Sequence, residues 1–191
     1  RAEIKFENIM DFQSSFPLVK IDENFINLFN PKLSLRINPS DMKNYTSENR
    51  RINNDNIFNI NRLGLTDTLE SGESLTLGID YKKEKIEDIN KYFEFKLAKV
   101  LKAESNEDIP TSSTINLKNS NYFGKITNSL NKNISFNYEF SVNHNLDELQ
   151  YNSFGTTFSK NSFVTRFDYF EENSAIGKSH ILKNTTTFNF D

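Results

Sequence analysis

The chain has 191 residues, a formal net charge of −3, 36% hydrophobic and 26% charged residues, and no cysteine. That length allows one ordinary domain. The mild acidity, with no basic stripe, argues against nucleic acid as a partner, and the lack of cysteine removes disulfides and thiolate metal sites.

Eighteen Phe and seven Tyr in a chain poor in aliphatics speak against disorder and for strands with one apolar face. The first residue is Arg1 rather than Met, so the start reads as a cut end and a missing targeting sequence carries no information. No apolar run approaches the roughly 20 residues of a membrane-spanning helix.

In chain order, "SSFPLVK" (14–20) and "NPKLSLRINPS" (30–40) read as strand segments, followed by a polar connection over 39–56. Residues 59–72 form an arginine-bearing segment with two glycines, which gives way to a clean alternation. Leu75, Leu77 and Ile79 fall on one face; Ser74, Thr76, Gly78 and Asp80 fall on the other. Residues 82–92 are the best helical candidate, yet are charged enough to be a solvated loop. "YFEFKLAKVL" alternates again with Phe93, Phe95 and Leu97, and a polar connection is expected over 102–113. "NISFNYEFSVN" sets Ile134, Phe136, Tyr138, Phe140 and Val142 against Ser135, Asn137, Glu139, Ser141 and Asn143. "SFVTRFDYF" sets Phe163, Thr165, Phe167 and Tyr169 against Arg166 and Asp168, and the last segment places Leu182, Phe188 and Phe190 together. "NKN" (131–133) and "SKN" (159–161) are tight-turn signals.

About ten strands in one domain result, most near the roughly 9–11 residues a tilted strand needs to cross a bilayer. Such strands suit a soluble sandwich, with the apolar face in a core, or an outer-membrane barrel, with that face in lipid. Their length favours the barrel, as do the mid-strand charges Glu139, Arg166 and Asp168. Aromatics placed like interfacial girdles (Tyr92, Phe93, Tyr122, Phe123, Tyr169, Phe170) point the same way, as does the alternation of short and long connections. The expected fold class is therefore an all-β, antiparallel transmembrane β-barrel of outer-membrane type, present as a partial set of strands. The apolar residues Leu75, Leu77, Ile79, Phe93, Phe95, Ile134, Phe136, Tyr138, Phe140, Phe163 and Phe167 would face lipid.

Residues 55–81, "DNIFNINRLGLTDTLESGESLTLGIDY", resemble a recurrent segment of the lipopolysaccharide-assembly family LptD, also called organic solvent tolerance protein. Asn56-Ile57-Phe58 matches the family's Asn-Leu-Phe, and Asn61-Arg62-Leu63 its Asn-Arg-Phe. Gly64, Asp67, Glu70 and Gly72 take its polar and glycine places, and Leu77-Gly78-Ile79 its strand. Thr68 stands where the family has Arg, Ser71 where it has a second Gly, and Asn30 where Glu precedes the proline.

The resemblance implies an interior, C-terminal-leaning part of a barrel of roughly 26 strands. It also implies a non-enzymatic role in inserting lipopolysaccharide into the outer leaflet, and placement in the cell outer membrane. The implied partners are lipopolysaccharide, outer-membrane lipid, an LptE-like plug lipoprotein, and an LptA-like periplasmic bridge acting through an N-terminal domain absent here. Two alternatives are a porin-like barrel and a soluble β-sandwich binding module. Pro17, Pro31 and Pro39 are not read as gate prolines.

Asn61, Arg62, Gly64, Asp67, Glu70, Gly72 and Gly78 are expected to be structural. Arg62, Asp67 and Glu70 would order a long connection through charge-assisted hydrogen bonds, with the two glycines fixing its path. His144 and His180 lack a second ligand at metal spacing, and no cofactor motif is present. "SGESL" lacks the glycine of a nucleophile elbow, since Thr76 stands there. Asp147-Glu148 and Glu171-Glu172 read as solvated turn charges, with the wrong spacing for an EF-hand. Asn133-Ile134-Ser135 matches a glycosylation pattern but begins a strand. Lys82, Lys83, Lys85 and Lys102 read as loop lysines that could meet lipid A phosphates, although Glu84, Glu87 and Asp88 dilute their field.

Overall fold

Strict alternation over most of the chain becomes one antiparallel sheet in a computed structural model that describes residues 7–174 and 177–188. Its ten strands are β1 (Met10–Ser15), β2 (Leu18–Ile21), β3 (Phe25–Asn38), β4 (Gly72–Lys85), β5 (Asp88–Lys102), β6 (Asn119–Asn131), β7 (Ile134–Val142), β8 (Leu149–Lys160), β9 (Phe163–Ser174) and β10 (Gly177–Phe188). The order is β1-β3-β4-β5-β6-β7-β8-β9-β10, with β2 pairing β3 alongside β1. Pro17 falls in the break between β1 and β2. Pro31, in mid-β3, points its carbonyl at that break and accepts from Phe16 N (3.0 Å). Its missing N–H therefore costs no ladder bond with β4.

The connections differ sharply at the two ends. Residues 86–87, 132–133 and 161–162 make tight turns, and Asn161 adopts a φ of 52°. At 131–133 the Asn131 side chain accepts from the N–H groups of Asn133 (2.8 Å) and Ile134 (3.1 Å). The opposite end carries the long segments 39–71 and 103–118. The second tight-turn signal, at 159–161, thus lies one residue before the true turn. Residues 82–92 are neither helix nor loop: β4 and β5 meet there in a hairpin. Their charges alternate across the two faces, Lys82 pairing with Glu84 on one of them.

The alternation is inverted relative to a soluble sheet. On β3 the buried positions are Ser34, Arg36 and Asn38, while Leu33 and Leu35 are exposed; on β4 Ser74 and Thr76 are buried and Leu77 is exposed. The polar face is covered at one end by the two long segments. A core forms between them and the sheet from Ile52, Ile57, Leu63, Leu65, Ile109 and Ile115, against Ala98, Val100 and Phe123.

The sheet is open, which corrects the expected transmembrane barrel. β1 and β10 are edges and do not pair with each other. The described residues therefore form a sheet with two free edges and not a closed wall. The open edges likewise remove the structural basis for the outer-membrane placement, for a lipopolysaccharide conduit enclosed by this chain, and for a porin-like reading. No helix among the described residues is long and apolar enough to cross a membrane. The layered alternative fits better, with a layer of loops where a sandwich has its second sheet.

The expected aromatic girdle is also absent. Phe123 and Phe170 lie on the polar face, Phe123 fully buried there, while Phe93 and Tyr169 lie on the other. Glu171 and Glu172 belong to β9, not to a turn. Phe190 lies outside the described residues.

Candidate functional site

Two features organise the two faces of the sheet: a buried ion cluster under the loops and a broad apolar surface behind it. The cluster begins with a local turn. The Asn61 side chain accepts from Leu65 N (3.1 Å) and donates to Leu65 O (2.7 Å), and Gly64 takes the positive φ of 64° that closes the turn. This sends Leu63 and Leu65 into the core and turns Arg62 onto Glu70.

Arg62 grips Glu70 with two parallel bonds, Nε to Oε2 at 2.6 Å and Nη2 to Oε1 at 2.7 Å. It also reaches β4, donating to Thr76 Oγ1 (2.9 Å) and Ser74 Oγ (3.0 Å). Arg36 of β3 and Lys102 of β5 close on the same carboxylate at 3.1 and 2.9 Å, while Asn38 donates to the Glu70 carbonyl at 2.9 Å. Burial pushes the Glu70 carboxyl up, but the cations of Arg62, Lys102 and Arg36 outweigh it and bring its pKa to about 2. Burial lowers Arg36 and Lys102, so part of the gain at Glu70 is returned by its partners. The arrangement ties a loop to three strands.

Of the expected cluster, Arg62 and Glu70 meet and Asp67 does not. Asp67 is exposed, bound to Lys43 (2.5 Å) and to the Tyr45 hydroxyl, which hold its carboxyl below the usual range. Thr68, where the family has Arg, leaves a buried hydroxyl without a hydrogen-bond partner. Lys102, expected in a loop, is buried against Glu70.

Arg36 and Lys102 were not singled out as partners of Glu70. Their sequence signal was a cation on the Ser/Thr/Asn face of a strand. Arg51 was also missed: it lies over the rings of Phe170 (4.4 Å) and Tyr151 (5.1 Å) and pairs with Glu172 (3.0 Å), clamping the far end of the loop onto β8 and β9. Gly78 has a packing role. Phe58 of the loop lies on it so closely that a Cβ there would sit 2.7 Å from the ring, so the two halves of the sequence motif touch.

The other face carries Leu75, Leu77, Ile79, Phe93, Phe95, Ile134, Phe136, Tyr138, Phe140, Phe163 and Phe167 together, all on the side away from the loops. Phe136 and Phe154 stack at 6.3 Å, and Phe140 lies over Gly124, which has no side chain to obstruct it. Leu33, Leu35, Leu77, Phe154, Phe158 and Phe167 are each at least 40% exposed.

Lysines interrupt this face on β4 and β5, and two of them lie over aromatic rings. Lys83 lies over the Phe25 ring (4.3 Å) and Lys99 over the Tyr122 ring (4.1 Å). Lys82 and Lys85 at the hairpin pair with Glu84 and Glu87. His180 contacts the Tyr169 hydroxyl at 3.1 Å, and no cluster of three metal-capable side chains occurs among the described residues.

A protein-family model described as LptD, LPS transport system D, matches residues 5–187. Comparison with curated proteins gives no match.

Proposed function

Because this chain belongs to the LptD family of lipopolysaccharide transport, we propose that it is a non-enzymatic binding module whose exposed apolar face receives the acyl chains of lipopolysaccharide. The observation that carries this reading is the inverted sheet. Loops seal part of the polar face, while a broad, mainly apolar surface on the opposite face has no cover among the described residues. Exposed apolar surfaces of this breadth mark an interaction with something equally apolar.

The family assignment brings lipopolysaccharide-transport partners with it. An LptA-like bridge is the partner that would deliver the lipid. An LptE-like lipoprotein would meet the polar face beyond the loops, where Lys96–Glu94 presents a paired charge.

Flotation of the purified chain with lipopolysaccharide-containing phosphatidylcholine vesicles tests the reading. The wild-type chain is expected to float, and the double variant Phe136→Lys/Phe154→Lys to stay at the bottom with its circular-dichroism spectrum unchanged. Equal flotation of the variant would refute the assignment of this face.

A further inference from the structure

On the polar face, the strand lysines Lys32, Lys96 and Lys125 each have a carboxylate within 3.3 Å. Lys99 does not. It stands on the apolar face between its register partners Leu77 of β4 and Tyr122 of β6, and has no ion pair with a carboxylate among the described residues. An ammonium has three donors, and a ring face satisfies none of them as a hydrogen bond.

Beside Lys99 lies a groove of about 540 Å³, lined by Pro31, Leu77, Ile79, Leu97, Leu101 and Tyr122. It is a shallow depression, open to the outside along the sheet, and not an enclosed cavity. Two lysines border it: Lys32 is paired with Asp80, which leaves Lys99 as the cation there without a carboxylate partner among the described residues. An apolar trough with such a cation complements an acyl chain joined to an anionic head. Lysine suits such a place because its stem lies along apolar surface while its charge reaches outward.

From this juxtaposition we infer that Lys99, held against Tyr122, binds a phosphate on the lipid anchor of lipopolysaccharide while an acyl chain of the same molecule occupies the adjoining groove. The inference rests on the lipid-binding reading above and adds to it a fixed head position. Lys83 marks the other end of the band: six residues of β5, from its register partner Phe93 to Lys99, put the two cations about 20 Å apart at strand rise.

Vesicles of phosphatidylcholine doped with lipid A, with dephosphorylated lipid A or with phosphatidylglycerol separate the outcomes. For wild type, affinity should be highest for phosphorylated lipid A. Lys99→Gln should lose about tenfold on those vesicles alone, the size of one charge-assisted hydrogen bond. Lys99→Arg should restore binding, which also shows that the position tolerates substitution. Unchanged affinity of Lys99→Gln, or equal wild-type affinity for lipid A with and without phosphate, would overturn the inference and leave acyl binding standing. Equal enhancement by phosphatidylglycerol would overturn the lipopolysaccharide source. Failure of wild type to bind any vesicle would overturn both readings.

Discussion

Glu70 is the residue on which the loop layer depends. Three cations from three separate chain segments converge on it, and removing its charge leaves them facing one another in a buried site. Loss of one partner from a buried ion cluster costs about 3–5 kcal/mol, so Glu70→Gln should lower stability by that order in urea unfolding. The pH dependence has the same origin. The folded carboxyl titrates near 2 against a usual 4.5. Its contribution is therefore complete above about pH 4.5 and drains away as pH falls toward 2. Wild type should lose stability across that window, and Glu70→Gln should show a flatter acid limb. A variant as stable as wild type at pH 7 would contradict the clamp. Half of this cluster was legible in the sequence, because two glycines around Arg62 and Glu70 signal a fixed path. Arg36 and Lys102 were not, since only the strand register brings residues 34 and 32 positions away in sequence onto the same carboxylate.

At the level of elements, the contact between loop and sheet turns on a missing side chain. Gly78 of β4 faces the loop, and the Phe58 ring fills the space a methyl group would need. Phe58 packs against the core and carries Lys32 at 5.5 Å over its ring, so it cannot swing away without loss. Gly78→Ala should cost about 1–3 kcal/mol as an overpacked site. The accompanying change should be faster amide exchange in residues 50–65, with β7 to β9 unaffected; exchange at wild-type rates would show that the ring yields freely. The strands themselves could be read from period two because side-chain direction alternates whatever the solvent. The hairpin at 82–92 could not, because charged residues on both faces erase the apolar signal. The loop core was equally hidden. Ile52, Ile57, Ile109 and Ile115 stand singly in polar runs, and tertiary contact alone makes them a core.

For the whole molecule, the decisive quantity is how much apolar surface this chain leaves without a partner. A sheet whose polar face is partly covered by loops and whose two edges are open lowers its free energy by covering the apolar face with anything apolar, including copies of itself. Alternation shows that two faces differ but not which one is covered, and closure depends on whether the edges meet. That is why the barrel expectation failed at the scale of the molecule while its strands survived. The open sheet makes a definite demand on behaviour in solution. In buffer without amphiphile the chain should associate in a concentration-dependent way, with large species in sedimentation velocity. Above the critical micelle concentration of a mild detergent it should become a single species of one chain with bound detergent. Phe136→Lys/Phe154→Lys should shift the detergent-free distribution toward smaller species, because the two charges break the aromatic stack at the middle of the face. A monodisperse single chain without detergent, at the same concentration, would mean that the apolar face needs no cover.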